Sequence, residues 1–264
     1  DDVRLPVQAY GAILRSTMAH ATISGMDLTA AREMPGVLAI YTAEDLAAAG
    51  YGGLACKLPL KNRDGTPLRA PVRPALVGDR VRFVGEAIAF VVAETLAQAR
   101  DAAEAIEIDF DPLPAVVLPQ DSAGAETLVH SDVPANTALD WEHGDAKAVE
   151  QAFATAAHVT KVRLVNNRVV PSPIETRSAV AAFDPETGGF TLHIGCQGVF
   201  GLSRGLAEIM KVEPDQLRVL TREVGGSFGM KATPYPEYIP LLHAARDLGR
   251  PVRWRDERTE AFLS

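Results

Sequence analysis

The sequence has few cysteines, few aromatic residues and no long apolar run. Of its 264 residues only Cys56 and Cys196 are cysteines, and 6% are aromatic. Two cysteines do not build the disulfide framework of small secreted folds, so a cytoplasmic location is expected. The longest uninterrupted apolar stretch, Ala87 to Ala93, is far shorter than the roughly 20 residues of a membrane-spanning helix. No signal segment and no membrane partner are therefore predicted.

Basic residues are also fewer than acidic ones. The chain has 26 Lys and Arg against 34 Asp and Glu, a formal net charge of -8 at pH 7. This balance opposes binding to nucleic acid or to anionic lipid, so neither is expected as a partner. With 47% hydrophobic residues, the chain has enough apolar surface for a sizeable core.

Motifs for protein-ligated metals and for nucleophilic catalysis are missing or misplaced. The six histidines form no H-E-x-x-H motif and no paired-cysteine motif exists, so no metal-ligating residue is predicted. Residues 201–205 match G-x-S-x-G, and Asp215 and His243 follow in a usable order. However, Ser203 lies beyond the predicted end of a strand and on the apolar stripe of a predicted helix. Serine hydrolase chemistry is therefore rejected.

Helical and strand patterns alternate along the chain. Thr42 with Asp45 and Thr95 with Gln98 form capping boxes, and Asp145 is placed to cap a further helix. Apolar patterns predict strands, a hairpin and helices at 37–41, 81–93, 106–110, 158–165, 178–196, 200–210, 217–221, 235–248 and 251–254. Residues 118–136 are polar and without periodicity, and they predict a domain boundary.

A glycine-rich loop at 225–231, with the sequence GlyGlySerPheGlyMetLys, follows the predicted strand at 217–221. Its backbone amides suit close approach to an anionic or oxo-bearing ligand, and the same glycines also suit a simple tight turn. It is not a nucleotide-binding P-loop, because Lys231 does not directly follow a glycine and Ala232 offers no hydroxyl.

Three other positions leave two interpretations open. Gln197, between a strand and a helix, either presents two amide donors inward or caps the helix. Glu175 and Arg177 share a face if their segment is a strand, where an internal ion pair is favoured over ligand contact. Cys196 is interpreted as an ordinary strand thiol rather than as a ligand or nucleophile.

Taken together, the segments resemble the molybdopterin-binding large subunit of the xanthine dehydrogenase, aldehyde oxidase and aerobic carbon monoxide dehydrogenase family. The resemblance rests on residues 14–21, 77–94, 109–116, 173–177, 196–199, 224–231 and 249–254. It implies an α+β fold, with an α/β hammerhead domain at 1–117, a linker at 118–140 and the first part of a molybdenum-cofactor-binding α/β domain at 141–264, truncated at its C-terminus.

The resemblance also implies the cofactor and the site residues. Gln197, Gly226, Phe228 and Gly229 match the positions that approach the molybdenum-molybdopterin cofactor in this family. The metal is held there by the pterin dithiolene and not by protein ligands. No position here matches the general-base glutamate, which is expected beyond Ser264, so the chain contains no catalytic residue of its own.

The implied function is oxidation of an aldehyde, an N-heterocycle or a similar small substrate with oxygen derived from water. Electrons would pass to Fe-S clusters and FAD on partner subunits or domains. The implied partners are the remainder of the large subunit and the Fe-S and FAD subunits, assembled as a dimer of the complex. The isolated chain is predicted to be inactive.

Two departures from the family pattern bear on function. Purine-oxidising members carry a substrate-binding glutamate where this chain has Ala232, which disfavours a purine substrate. The residue before the glutamine, often threonine, is here Cys196, and it does not match the copper-binding cysteine of true carbon monoxide dehydrogenases. The alternative function is that of a non-catalytic relative acting as an assembly or binding module.

Overall fold

The computed structural model describes residues 2–263, which fold as an α+β protein. Ten strands occur within this range: β1 (Ala9–Arg15), β2 (Ala21–Asp27), β3 (Val37–Tyr41), β4 (Arg80–Val81), β5 (Ala87–Ala93), β6 (Glu107–Pro112), β7 (Ser178–Asp184), β8 (Gly189–Ile194), β9 (Leu217–Leu220) and β10 (Val252–Arg255). The same range contains seven α-helices: α1 (Thr29–Arg32), α2 (Ala43–Ala48), α3 (Leu96–Glu104), α4 (Ala146–Thr155), α5 (Val199–Met210), α6 (Tyr238–Asp247) and α7 (Arg258–Ala261).

The main sheet has seven strands in the order β3-β5-β1-β10-β7-β8-β9. The pairs β1/β10 and β8/β9 are parallel, and the other neighbours are antiparallel. A smaller antiparallel sheet has the order β4-β2-β6. The parallel pair β8/β9 positions the candidate site, because it brings the carboxyl ends of both strands to the same edge.

Burial explains which helices cover the main sheet. Strand β5 is apolar and buried at every position, as expected for a strand covered on both faces. The apolar face of α5, with Leu202 and Leu206, joins Leu192 and Trp254 in the largest core cluster. The alanines of α3 pack in a second cluster with residues of β1, β3 and β5. The sheet is thus the centre around which α3, α5 and α6 are arranged.

By its contacts, the described chain divides into two compact units, and the domain boundary predicted at 118–140 stays a prediction. The larger unit comprises residues 2–55, 72–116 and 171–263, and it contains both sheets. The seven-stranded sheet draws strands from both predicted domains, 1–117 and 141–264. The smaller unit comprises 56–71 and 117–170 and includes α4. No helix of residues 2–263 is long and apolar enough to cross a membrane.

Two predicted helix starts are confirmed, and the predictions for 158–165 and for Glu175 with Arg177 are wrong. The capping box of Thr42 with Asp45 is present, and Asp145 caps α4 by accepting from the amide of Ala148. The strand predicted at 158–165 is not formed, since that segment is irregular and no strand pairs with it within the described residues. The segment Glu175 to Arg177 precedes β7, and its acid and base pair with other residues instead of with each other.

A buried ionic cluster joins five segments of the larger unit. Arg177 lies between the carboxylates of Glu237 and Asp256, at 3.0 and 2.9 Å, and stacks over the ring of Tyr235. Arg15 of β1 reaches Glu237 at 2.9 Å and Glu260 of α7 at the same distance. Two guanidinium groups therefore serve three carboxylates, and the side chains of Arg177, Glu237 and Asp256 are fully buried.

The pKa values of the two fully buried carboxyls diverge. Burial by itself raises the pKa of Glu237, but the charges of Arg177 and Arg15 outweigh it and lower the pKa to about 2. Burial raises the pKa of Asp256 to about 6 despite the charge of Arg177, and the neighbouring Glu237 charge adds to this rise. Asp256 also has one buried oxygen, Oδ1, without a hydrogen-bond donor. Both carboxyls are therefore ionised at neutral pH, and Glu237 keeps its charge to a lower pH than Asp256 does.

Candidate cofactor site

The candidate site lies where the parallel strands β8 and β9 end. Gln197 follows β8, and the loop of residues 225–231 follows β9. Because the two strands are parallel neighbours, both segments emerge at the same edge of the sheet. The space beyond the carboxyl ends of parallel strands is the usual place for ligands in α/β sheets. The backbone of Gln197 also donates to the carbonyl oxygen of Lys231 at 3.0 Å, which fixes the two segments together.

The side chain of Gln197 is held by the glycine loop. Its Oε1 accepts hydrogen bonds from Oγ of Ser227 at 2.6 Å and from the backbone N of Gly229 at 3.1 Å. A backbone N–H is only a donor, so the oxygen of the carboxamide must face Gly229. The Nε2 donor group of the exposed Gln197 is consequently turned away from the loop.

The capping interpretation of Gln197 is wrong. The N-cap of α5 is Gly198, and no side chain makes a capping hydrogen bond there. The side-chain oxygen of Gln197 accepts hydrogen bonds from the loop instead. The other interpretation, in which the amide donors of Gln197 serve a ligand, stays a prediction.

The turn at residues 227–230 holds Phe228 in an uncommon conformation. The φ angles are +52° at Phe228 and +96° at Gly229, and the amide of Met230 donates to the carbonyl oxygen of Ser227 at 2.9 Å. A bulky residue at positive φ is unfavourable, and such strain is found mostly at functional sites. Phe228 is 75% exposed, so core packing does not account for its position. The turn leaves the apolar ring of Phe228 exposed next to Gly229, whose amide donates to Gln197.

Gly226 and Gly229 are required for different reasons. At Gly226, with φ of +94°, an added Cβ would lie 3.1 Å from Cβ of Pro173 and 3.3 Å from Cε2 of Phe228. At Gly229, a Cβ would meet nothing within 4 Å, so only its positive φ demands glycine. Open space beside a backbone that makes a left-handed turn is what close approach of a ligand needs.

Gly229→Ala is therefore expected to destabilise the protein by about 1–2 kcal/mol, the cost of a left-handed conformation for a residue with a Cβ. Gly201→Ala is the matched control, because Gly201 also has open space around it but lies inside α5. The control should be neutral or slightly stabilising. Urea unfolding of both variants gives the comparison, and equal stability of the two would show that φ at Gly229 is not strained.

Both ends of the loop are anchored by Glu175. Its Oε2 accepts from the amide of Gly225 at 2.9 Å and from Nζ of Lys231 at 2.8 Å. Partial burial opposes ionisation of Glu175, but these hydrogen bonds and the charge of Lys231 lower its pKa to about 2. Lys231 is buried, so its charge is neutralised inside the protein and does not face a ligand. This pair was not predicted, since the two residues are far apart along the chain.

The remaining sequence candidates have structural roles. Ser203 lies within α5, and its hydroxyl donates to the carbonyl oxygen of Leu217 at 2.6 Å, which is not the geometry of a nucleophile. His243 contacts Oη of Tyr51 through Nδ1. Cys196 is buried in the main core, and its amide donates to Oγ1 of Thr221. Within residues 2–263, no three His, Cys, Asp or Glu side chains cluster so as to hold a metal ion.

Comparison with known proteins identifies the class. Residues 129–264 match the family model of the molybdopterin cofactor-binding domain, and residues 1–114 match the model of the aldehyde oxidase and xanthine dehydrogenase a/b hammerhead domain. The chain therefore belongs to the molybdopterin-binding large subunits of the xanthine dehydrogenase and aldehyde oxidase family. Within a large subunit, it corresponds to the hammerhead domain together with cofactor-binding sequence.

Individual relatives agree with this assignment. The carbon monoxide dehydrogenase large chain of Hydrogenophaga pseudoflava is 31% identical over 98% of this chain and 33% of its own length. The nicotine 6-hydroxylase large subunit of Paenarthrobacter nicotinovorans is 29% identical over 100% of this chain and 32% of its own length. The crystal structure of quinoline 2-oxidoreductase from Pseudomonas putida 86 superposes with a TM-score of 0.90 at 30% identity, over 100% of this chain and 33% of that one. The chain thus spans about a third of the length of these relatives.

Proposed function

We propose that this chain supplies one wall of the molybdenum-cofactor site of a molybdenum hydroxylase. The hydroxylase would oxidise an aldehyde, an N-heterocycle or a similar small substrate with oxygen derived from water. The observation that carries the proposal is the orientation of Gln197, whose Oε1 is held by Ser227 and Gly229 while Nε2 faces outward. The activities for which the relatives are named, on carbon monoxide, nicotine and quinoline, support the reaction class.

The residues present fit a cofactor whose metal is carried by an organic ligand. The loop offers neutral amide donors and glycine backbone, with space for close approach at Gly229. Lys231, the cation of the loop, is neutralised by Glu175. When bound, the molybdenum cofactor supplies the redox chemistry. Gln197 would supply a preorganised hydrogen-bond donor. Gly229 would allow the cofactor to come close to the backbone, while Gly226 makes the tight turn against Pro173 and Phe228. Phe228 would offer an exposed apolar surface to the cofactor.

Partners of the chain follow from the length of the relatives. Because this chain spans about a third of them, we propose that the rest of a large subunit completes the site and supplies the general base. Fe-S and FAD subunits would accept the electrons in a cytoplasmic dimer of the complex. The name "6-hydroxypseudooxynicotine dehydrogenase complex subunit gamma", carried by a relative 32% identical to this chain, supports a multi-subunit assembly.

The substrate preference follows from the residue after the loop lysine. Ala232 is exposed and has no group that hydrogen-bonds a polar heterocycle. We therefore propose an aldehyde or a less polar N-heterocycle over a purine. The test is purification of the full-length protein, measurement of its molybdenum, and substrate-dependent reduction of an electron-accepting dye with an aldehyde, quinoline and xanthine. A protein without molybdenum would contradict the proposed function, and xanthine as the best substrate would contradict the preference.

A chain restricted to these 264 residues is expected to retain far less than one molybdenum per chain and to oxidise none of these substrates. The reason is that it contributes a single loop and a single amide to the cofactor. Metal analysis of the purified chain, with the full-length protein as the positive control, measures this. Stoichiometric molybdenum in the short chain would show that the site is more complete than proposed.

A further inference from the structure

Ser227 makes a side-chain hydrogen bond to Gln197. Its Oγ lies 2.6 Å from Oε1 of Gln197 and accepts a hydrogen bond from the backbone N of Lys231 at 3.1 Å. Since the Lys231 N–H occupies an acceptor site of the hydroxyl, the single hydroxyl proton is free to point to Gln197. The hydroxyl therefore connects the backbone of the buried Lys231 to the exposed carboxamide of Gln197.

A second donor matters because Gln197 is exposed. Without Ser227, the carboxamide would keep only the 3.1 Å hydrogen bond from Gly229. One hydrogen bond at an exposed site contributes little against the rotamer entropy of a glutamine side chain. Two donors converging on Oε1 fix both the position of the side chain and the direction of its Nε2 group.

The anchoring of Ser227 extends into the protein. Lys231, which donates to its hydroxyl, is buried and paired with Glu175. The carbonyl oxygen of Ser227 closes the turn by accepting from Met230. The backbone amides of Met230 and Lys231 thus hold Ser227 in place, and its hydroxyl in turn holds the carboxamide of Gln197.

We propose that Ser227 is a positioning residue, which orients the Gln197 amide toward the cofactor through its hydroxyl. The inference rests on the proposed function, because it concerns the same site. It assigns no contact between Ser227 and substrate or metal. It predicts that the hydroxyl, and not the volume of the side chain, is what the site requires.

The experiment compares four variants of the full-length protein. Ser227→Ala removes the hydroxyl, and Ser227→Thr keeps it. Gln197→Ala removes the amide itself. Ser203→Ala is the matched control, because Ser203 also donates a 2.6 Å hydrogen bond, to the carbonyl oxygen of Leu217, but lies within α5 and not in the loop. For each variant, kcat and KM, molybdenum content, the Mo(V) electron paramagnetic resonance spectrum of the reduced protein and the melting temperature are measured.

We expect Ser227→Ala to keep its molybdenum and to lower kcat roughly tenfold at nearly unchanged KM, the effect of losing one hydrogen bond of ordinary strength. Its Mo(V) spectrum should shift, and Ser227→Thr should restore both properties. Ser203→Ala should lower the melting temperature without changing kcat or the spectrum. Wild-type kcat and spectrum in Ser227→Ala, with a clear loss in Gln197→Ala, would overturn this inference alone. Wild-type kcat in both would overturn the proposed function as well.

Discussion

Replacing Gln197 with alanine in the full-length protein is expected to lower turnover by up to about 10²–10³-fold, the effect of removing one preorganised donor from an active site. The fold should be unaffected, because Gln197 is exposed and makes no capping hydrogen bond to α5. What the variant loses is the Nε2 group, which the hydrogen bonds from Ser227 and Gly229 to Oε1 direct away from the loop. The measurement is kcat per bound molybdenum, together with the melting temperature.

Gln197→Glu provides the sharper comparison. A carboxylate keeps an oxygen to accept from Ser227 and Gly229, but it replaces the Nε2 donor with an acceptor. If donation by the amide is what matters, the glutamate variant should be at least as slow as the alanine variant while keeping the loop in place. Turnover close to wild type in either variant, with only a lowered melting temperature, would leave Gln197 as a structural residue of the loop.

The sequence predicted those features that short segments determine. At the start of α2, the backbone N–H of Thr42 donates to Oδ2 of Asp45, and at the start of α4 the side chain of Asp145 accepts from the amide of Ala148. Both pairs are three residues apart, so these helix starts were visible in the sequence. The run Ala87 to Ala93 is apolar throughout, and it forms the buried strand β5. The closeness of Gln197 and the glycine loop was implied by the family resemblance, and the parallel pairing of β8 with β9 supplies its physical reason.

Other features depend on partners distant in sequence. Strand β1 was not predicted, because Ala9, Gly11 and Ala12 carry little strand signal. The neighbouring strand β5 explains its small residues, since a Cβ on Gly11 would clash with the ring of Phe90. The converse holds at 158–165, where the alternation suits a strand but no strand pairs with it in the described chain. Ser227 was seen only as part of a glycine loop, and its contact with Gln197 required the folded chain.

Replacing Glu237 with glutamine is expected to cost about 3–5 kcal/mol of the free energy of unfolding, because it breaks a fully buried ion pair on one side. Oε2 of Glu237 accepts from Nη1 of Arg177 at 3.0 Å, and Oε1 accepts from Nη2 of Arg15 at 2.9 Å. The variant retains the shape of the side chain but removes its negative charge. Asp256 and Glu260 are then the carboxylates that still pair with Arg177 and Arg15.

The pH dependence of this loss separates the charge of Glu237 from its packing. Its pKa is lowered from 4.5 to about 2 in the folded protein, so its ionisation stabilises the fold above pH 4.5 and the contribution is lost as the pH falls toward 2. The difference in unfolding free energy between wild type and Glu237→Gln should therefore shrink over that range in urea unfolding. Asp140→Asn is the control, because Asp140 pairs with Arg63 at an exposed site, where an ion pair contributes about 0–1 kcal/mol. A loss in Glu237→Gln no greater than in the control, or one independent of pH, would show that Glu237 stabilises the sheet by packing and that the guanidinium groups of Arg15 and Arg177 are satisfied without it.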